Sequence, residues 1–200
     1  VWTDIAANPN AVRITSWIGT LDDGYTNAIP IGFDFKYYGA NYSNIYLSTN
    51  GFLSFTTLTS SYYTNETIPS GDAPNNIIAP FWDDLDGRTQ GTVHYLSEPD
   101  KFTIQFTNWQ KYSGTGSLTF QMVLKSNDRI MFYYNNLNAT LTSASVGIEN
   151  GAGDDGLQIA YDAAYLQNNL AVQIAADPEW LILNNYSGTI YSGNSVNIGL

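Results

Sequence analysis

Lys101-Phe102-Thr103-Ile104-Gln105-Phe106-Thr107-Asn108-Trp109 alternates apolar and polar side chains as far as Thr107. An extended chain points successive side chains to opposite faces, so Phe102, Ile104 and Phe106 share one face and Thr103, Gln105 and Thr107 the other. That is the pattern of a half-buried antiparallel strand. The same period of two returns at Leu118, Phe120, Met122 and Leu124, then at Ile130, Phe132 and Tyr134, with Ser126-Asn127-Asp128 as a turn between them. The three segments predict a meander. Further short runs at 13–18, 33–37, 44–49, 52–55, 77–81, 92–96, 144–149, 157–161 and 171–175 are mostly separated by Gly, Asn, Asp or Pro. Many short strands without an amphipathic helical stretch of useful length predict an all-β fold, an antiparallel two-sheet β-sandwich of jelly-roll type. Residues 162–170 are expected to add one helical turn, and the polar, Pro/Gly-marked loop 56–76 is a candidate contact surface.

Composition narrows the function. The chain has 200 residues, 44% of them hydrophobic and only 12% charged, so uncharged polar residues must supply much of the surface. A chain of this length buries a core without covalent staples. The net charge of −11 repels nucleic-acid phosphates and anionic membrane surfaces, so neither is an expected partner. With no cysteine there are no disulfides or thiolate metal sites, and any bound cation must be held by oxygen, as Ca²⁺ is. No apolar run reaches the roughly 20 residues of a membrane helix, and insertion is not expected. The opening at Val1 in place of Met fits a removed secretory signal, which predicts an extracellular or cell-surface location.

A change of composition at Ala175-Ala176-Asp177-Pro178 divides the chain into an expected sandwich domain, 1–175, and a C-terminal β-strand segment, 176–200. The segment offers Ile190, Val196 and Ile198 as near-alternating apolar positions, with Ser192-Gly193-Asn194 as a turn. Too short for a core of its own, it is expected to pack on the main domain, to donate a strand to a neighbouring copy, or to begin a further domain.

One block goes beyond pattern. It comprises Ile31-Gly32-Phe33-Asp34-Phe35, Tyr37-Tyr38-Gly39, Ile45-Tyr46-Leu47-Ser48-Thr49-Asn50-Gly51-Phe52-Leu53-Ser54-Phe55, and Ala73-Pro74-Asn75-Asn76-Ile77-Ile78-Ala79-Pro80-Phe81-Trp82-Asp83-Asp84-Leu85. Downstream come Ala144-Ser145-Val146-Gly147-Ile148-Glu149-Asn150 and Asp154-Asp155-Gly156-Leu157-Gln158. The combination resembles the nidogen-type extracellular domain and its relatives in large secreted bacterial proteins. The resemblance implies a module of matrix, adhesive or surface proteins, with no reaction and no catalytic residue. The C-terminal segment, through Trp180-Leu181 and Gly188-Thr189-Ile190, is similar to the start of an immunoglobulin-like module. On physical grounds alone, Asn50-Gly51 supplies the positive φ angles of a tight hairpin turn, and Phe81 and Trp82 anchor a core between Pro74 and Pro80.

Two acidic groups are candidates for Ca²⁺: Asp83, Asp84 and Asp86, and Glu149, Asp154 and Asp155. The bland reading is a pair of solvated turns whose Asp side chains cap backbone N–H groups, and no cofactor is required. Paired carboxylates also serve glycoside hydrolysis, for which Asp83 and Glu149 are the acids to test, yet the expectation is that the chain is not an enzyme. His94, the sole histidine, lies in an expected strand without a placed nucleophile. Tyr62, Tyr63, Trp109 and Tyr112 sit in or beside expected loops and are candidates for a carbohydrate platform. Sequons at Asn41, Asn65, Asn138 and Asn185 are candidate glycosylation sites. The expected function is a structural or adhesive module or a filament subunit, with other copies of itself, neighbouring domains, and extracellular glycans or matrix as partners.

Overall fold

The computed structural model describes residues 1–112 and 114–175, and all regular structure among them is β. Its first strands are β1 (Val12–Arg13), β2 (Ile18–Gly19), β3 (Gly24–Tyr25), β4 (Ile29–Tyr37), β5 (Ala40–Leu47) and β6 (Leu53–Ser54). Then come β7 (Ile77–Trp82), β8 (Leu85–Asp86), β9 (Thr92–Glu98), β10 (Lys101–Lys111) and β11 (Ser117–Lys125). The last are β12 (Ile130–Asn138), β13 (Ser145–Glu149), β14 (Gly156–Tyr161) and β15 (Ala171–Ile174). One sheet runs β1-β9-β10-β11-β12-β15, with β8 added to the far end of β10; a second runs β14-β13-β7-β6-β5-β4; β2 and β3 form a separate hairpin. Every ladder is antiparallel, and the two main sheets form the expected β-sandwich.

The meander forms as its period of two requires. Phe102 pairs with Leu124, Ile104 with Met122 and Phe106 with Phe120, and Phe120 is opposite Tyr134 in the next strand. These side chains face Ile31, Phe35, Ile45, Leu47 and Phe81 of the other sheet across the core. Phe120 stacks on Phe106 at 4.8 Å and on Phe81 at 5.6 Å between ring centroids, which ties the sheets together. Fully burying a side chain of this size contributes about 2–3 kcal/mol. Two hydrogen bonds cross the same core: Tyr134 Oη donates to Pro80 O at 2.6 Å, and Trp109 Nε1 to Thr49 O at 3.1 Å. The indole lies flat on Gly87, where a Cβ would stand 2.0 Å from the ring.

Several expectations need correction. The second face of the 101–109 strand is not open to water, since Thr103 and Gln105 are buried. The segment before β1 lies across it: Ile5 N donates to Gln105 Oε1, Gln105 Nε2 to Asp4 Oδ1, and Gln121 Nε2 to Thr3 O. Polar side chains on this face serve as hydrogen-bonding partners for a crossing backbone. Residues 13–18 split into β1 and β2, and residues 162–170 form turns without a helix. Loop 56–76 packs on the outer face of the second sheet, where Leu58 and Ile68 join Phe52, Ile77, Ala79 and Trp82 in a smaller core. Asn50-Gly51 lies in the β5–β6 connection, but only Gly51 takes a positive φ, +80°, and its missing Cβ makes room for Phe81 O. Pro80 sits inside a central strand, which its lack of an N–H forbids in a regular ladder. A register shift in β13 opposite it, between Ser145 and Gly147, removes the conflict.

Candidate functional site

Asp83, Asp84 and Asp86 follow the end of β7, where the sandwich core gives way to the loops at one end. Each carboxylate has a different fate. Asp83 is buried and forms an ion pair with Lys111 Nζ at 2.6 Å; Ser143 Oγ, which also contacts Lys111 Nζ, donates to Asp83 Oδ2 at 2.9 Å. Asp86 is gripped by Arg88 through Nε at 3.0 Å and Nη2 at 2.8 Å, and that guanidinium holds its carboxyl below the usual carboxylate range. Arg88 also reaches Asp22 Oδ2 at 3.1 Å from the β2–β3 hairpin. Asp84 is pushed up to about 6, first by burial and then by the charges of Asp22, Asp23, Asp83 and Asp86. Burial and Asp86 likewise raise Asp22. The triplet is thus an internal network in which two of three acids have cations of their own.

The second group does not form one cluster of equivalent acids either. Glu149 is buried at the end of β13, where Oε2 accepts from Ser70 N at 2.6 Å. With its amide turned to donate, Asn75 Nδ2 reaches Glu149 Oε1 at 2.6 Å. Burial, reinforced by Glu66, pushes Glu149 up to about 7 against the opposing Ser70 bond. Its role is to fasten loop 56–76. Asp154 and Asp155 are exposed in the β13–β14 turn, which Asn150 organises: its Oδ1 accepts from Ala152 N, Asp154 N and Asp155 N, and its Nδ2 donates to Asp154 Oδ1 at 2.8 Å. An asparagine side chain sits where the sequence invited a cation. Among the described residues, no three His, Asp or Glu side chains are grouped to hold a metal ion.

The carboxylate pair considered for hydrolysis is not brought together. Glu149 is in register with Ile77 at the start of β7, whereas Asp83 follows Trp82 at its end. Six residues of extended chain separate those positions by about 20 Å, well beyond the roughly 5–9.5 Å of glycosidase pairs. His94 has its imidazole pKa lowered by burial and by Arg13, and its Nδ1 has no hydrogen-bond partner. No nucleophile is hydrogen-bonded to it among the described residues.

The aromatic candidates separate in the same way. Trp109 is a core residue, 1% exposed, and cannot serve a surface platform. Its place near the end of a long strand made it look loop-adjacent, but Gly87 lets the loop after β8 close over its ring. Tyr62 is partly buried against the smaller core and supplies the carbonyl that accepts Trp82 Nε1 at 2.7 Å. Tyr63 and Tyr112 are exposed, and the Arg88 guanidinium lies 5.8 Å from the centre of the Tyr112 ring. Of the sequons, Asn41 and Asn138 are exposed, while Asn65 already donates its amide to Ser145 Oγ and Asp162 Oδ1. Asn185 and the strand-donor positions Ile190, Val196 and Ile198 lie outside the described residues.

Sequence reasoning missed Asp22, Lys111, Arg88 and Ser143, whose partners are 2 to 66 residues away and carry no shared spacing. It also missed Asn50 as a clip. The Asn50 side chain donates to Ser61 O at 3.2 Å and accepts from Leu85 N at 2.8 Å, so the residue nearest the recognisable turn joins three segments.

A family model described as NIDO related matches residues 1–192. Over 191 residues the chain is 26% identical to alpha-tectorin of Mus musculus and 27% identical to alpha-tectorin of Homo sapiens. Identity to alpha-tectorin of Gallus gallus is 24% over the same length. Each alignment covers 80% of this chain and 9% of the relative, so the chain spans a small part of the curated relatives it matches. No solved structure matches it.

Proposed function

This chain belongs to the NIDO-related family, and from that premise we propose that it works as an extracellular structural and adhesive module of a secreted or cell-surface protein. The observation that carries the reading is the reach of the family match, residues 1–192, over a sandwich in which Asp83, Asp86 and Glu149 are spent on internal contacts. A module that presents a surface needs a stiff body more than a reactive cleft. Its partners on this reading are other copies of the chain or neighbouring domains of a larger surface protein, with extracellular glycans or matrix as further contacts.

The proposed organisation is a sandwich body, 1–175, followed by a strand segment, 176–200, that pairs with a neighbouring copy in head-to-tail assembly. Edge strands of a sandwich carry backbone groups that accept an added strand, and a head-to-tail contact that does not close propagates as a filament. Comparing the full chain with a version ending at residue 177 by sedimentation and electron microscopy tests this. Assembly by the full chain and a folded, monomeric truncated form are expected. Unchanged behaviour after truncation removes the donated strand, and a full chain that stays monomeric at all concentrations removes self-assembly.

A further inference from the structure

A cavity of ≈ 400 Å³ opens beside β1 and the β2–β3 hairpin, with Arg13, Thr15, Trp17, Thr20, Leu21 and Thr92 in its lining. Its size is that of an ordinary small-ligand cleft, roughly 300–1,000 Å³. A second cavity of ≈ 230 Å³ shares Arg13, Ile14 and Thr15, so the strap between β1 and β2 has open space on both flanks. The strap itself is held in place, since Ile14 N donates to Val93 O at 2.9 Å and Ile14 and Trp17 pack against the main core.

The chemistry of the walls is one-sided. Trp17 Nε1 is buried and has no acceptor, although a buried indole N–H ordinarily finds one. Arg13 is one of only seven cationic side chains in a chain of net charge −11, and it is in no ion pair among the described residues. Thr15, Thr20 and Thr92 complete the polar part of the lining, although Thr20 Oγ1 already accepts from Asp22 N and Asp23 N, and Leu21, 38% exposed, supplies apolar surface. An occupant must therefore bring acceptors, a negative charge, and a face that lies against an indole and aliphatic carbons. A pyranose ring bearing a carboxylate has all three: C–H groups for the indole, hydroxyls for the threonines, and an anion for the guanidinium. The indole packs against the main core, so its ring, and not its buried N–H, is what lines the cleft.

We propose that this cleft binds an acidic saccharide through one uronic acid residue, its carboxylate on Arg13 and its ring against Trp17, a local contact that outweighs the repulsion of a net charge of −11. The site is separate from the candidate tyrosines and does not depend on strand donation, but it borders the acidic network, since its Leu21 precedes Asp22 and accepts Gly87 N through its carbonyl at 2.9 Å.

The test titrates the full chain with a glucuronate-containing tetrasaccharide, followed by NMR and tryptophan fluorescence, beside the same oligosaccharide with its carboxyls reduced to alcohols. The acid form is expected to perturb the Trp17 indole and the signals of residues 13–21, and the reduced form to bind about ten-fold more weakly or not at all. Arg13→Gln, an exposed change that leaves the fold intact, should weaken the acid form about ten-fold. Trp17→Phe keeps a ring but shortens the surface that lines the cleft, and should weaken it several-fold. Equal binding of both oligosaccharides, full affinity in Arg13→Gln, or no response of residues 13–21 at ~10 mM sugar overturns the proposal. Assembly without sugar binding would leave the structural role standing and remove the ligand, and sugar binding by a chain that never assembles would do the reverse.

Discussion

Asn50 lies beside a glycine in a short strand connection, where an asparagine ordinarily serves the turn itself. Here its side chain is fully buried and reaches outward, accepting Leu85 N and donating to Ser61 O, while its own carbonyl accepts Asp83 N at 3.3 Å. Replacing it by Ala leaves Leu85 N buried without an acceptor, at a cost of about 1–3 kcal/mol for that group plus the lost bond to Ser61. Asn50→Ala is therefore expected to lower unfolding free energy by about 2–4 kcal/mol in urea melts. Asn50→Asp, which keeps the acceptor, should lose less; equal losses in the two variants would show that the Leu85 contact is not what matters. The Asn-Gly pair was legible as a turn signal because φ preferences are local. The clip was not, since nothing near Asn50 in sequence says that residues 61 and 85 fold back upon it.

At the scale of elements, ion pairs and a buried carboxylate fasten the loops to the sheets. Lys111 ends β10 and Asp83 follows β7, so their bond at 2.6 Å joins the two sheets at one end. Both are largely covered, and removing one partner leaves a desolvated charge behind. Lys111→Met should cost about 2–4 kcal/mol, and the double variant Lys111→Met, Asp83→Leu should recover much of it, because a paired charge replaced by apolar groups is often close to neutral. A double variant as unstable as the single one would mean that Lys111 acts through its packing alone. Glu149 fastens loop 56–76 by accepting Ser70 N. Its pKa rises to about 7 in the fold from 4.5, so between those values the folded chain holds more protons than the unfolded chain, and stability falls as pH rises through that window. Asp84, raised to about 6 from 3.8, acts in the same direction over a lower range. His94, whose pKa is lowered by burial and Arg13, opposes this below its ordinary value of 6.5, so the carboxylate contribution is read by difference: from pH 5 to pH 7.5 the chain should lose more unfolding free energy than Glu149→Gln does. A slope unchanged in Glu149→Gln would assign the effect to other groups.

For the whole molecule, eighteen acidic residues against seven basic ones left Ca²⁺ as a candidate but not required ligand of the acidic turns. In the fold Lys111 pairs with Asp83, Arg88 with Asp86 and Asp22, and Asn150 is at the centre of the Asp154-Asp155 turn. Melting curves in EDTA and in millimolar Ca²⁺ are expected to coincide; a rise of several degrees with Ca²⁺ would mean that a ligand set assembles around these acids on binding. The sequence by itself determined the all-β class, the β10-β11-β12 meander and its inward faces, since strand periodicity and turn chemistry act between residues a few positions apart. It determined the family as well, through the ordered blocks around Asn50-Gly51 and Pro80-Phe81-Trp82. Only the tertiary structure decided that residues 3–5 lie on the polar face of β10, that Trp109 is core, that Asp83 and Glu149 stand at opposite ends of β7, and that Arg13 and Trp17 share a cleft. Each of those depends on contacts between segments far apart in the chain. Burial, pairing of charge and the separation of two carboxylates are properties of such contacts, and a side chain's own chemistry does not say which segment folding will lay against it.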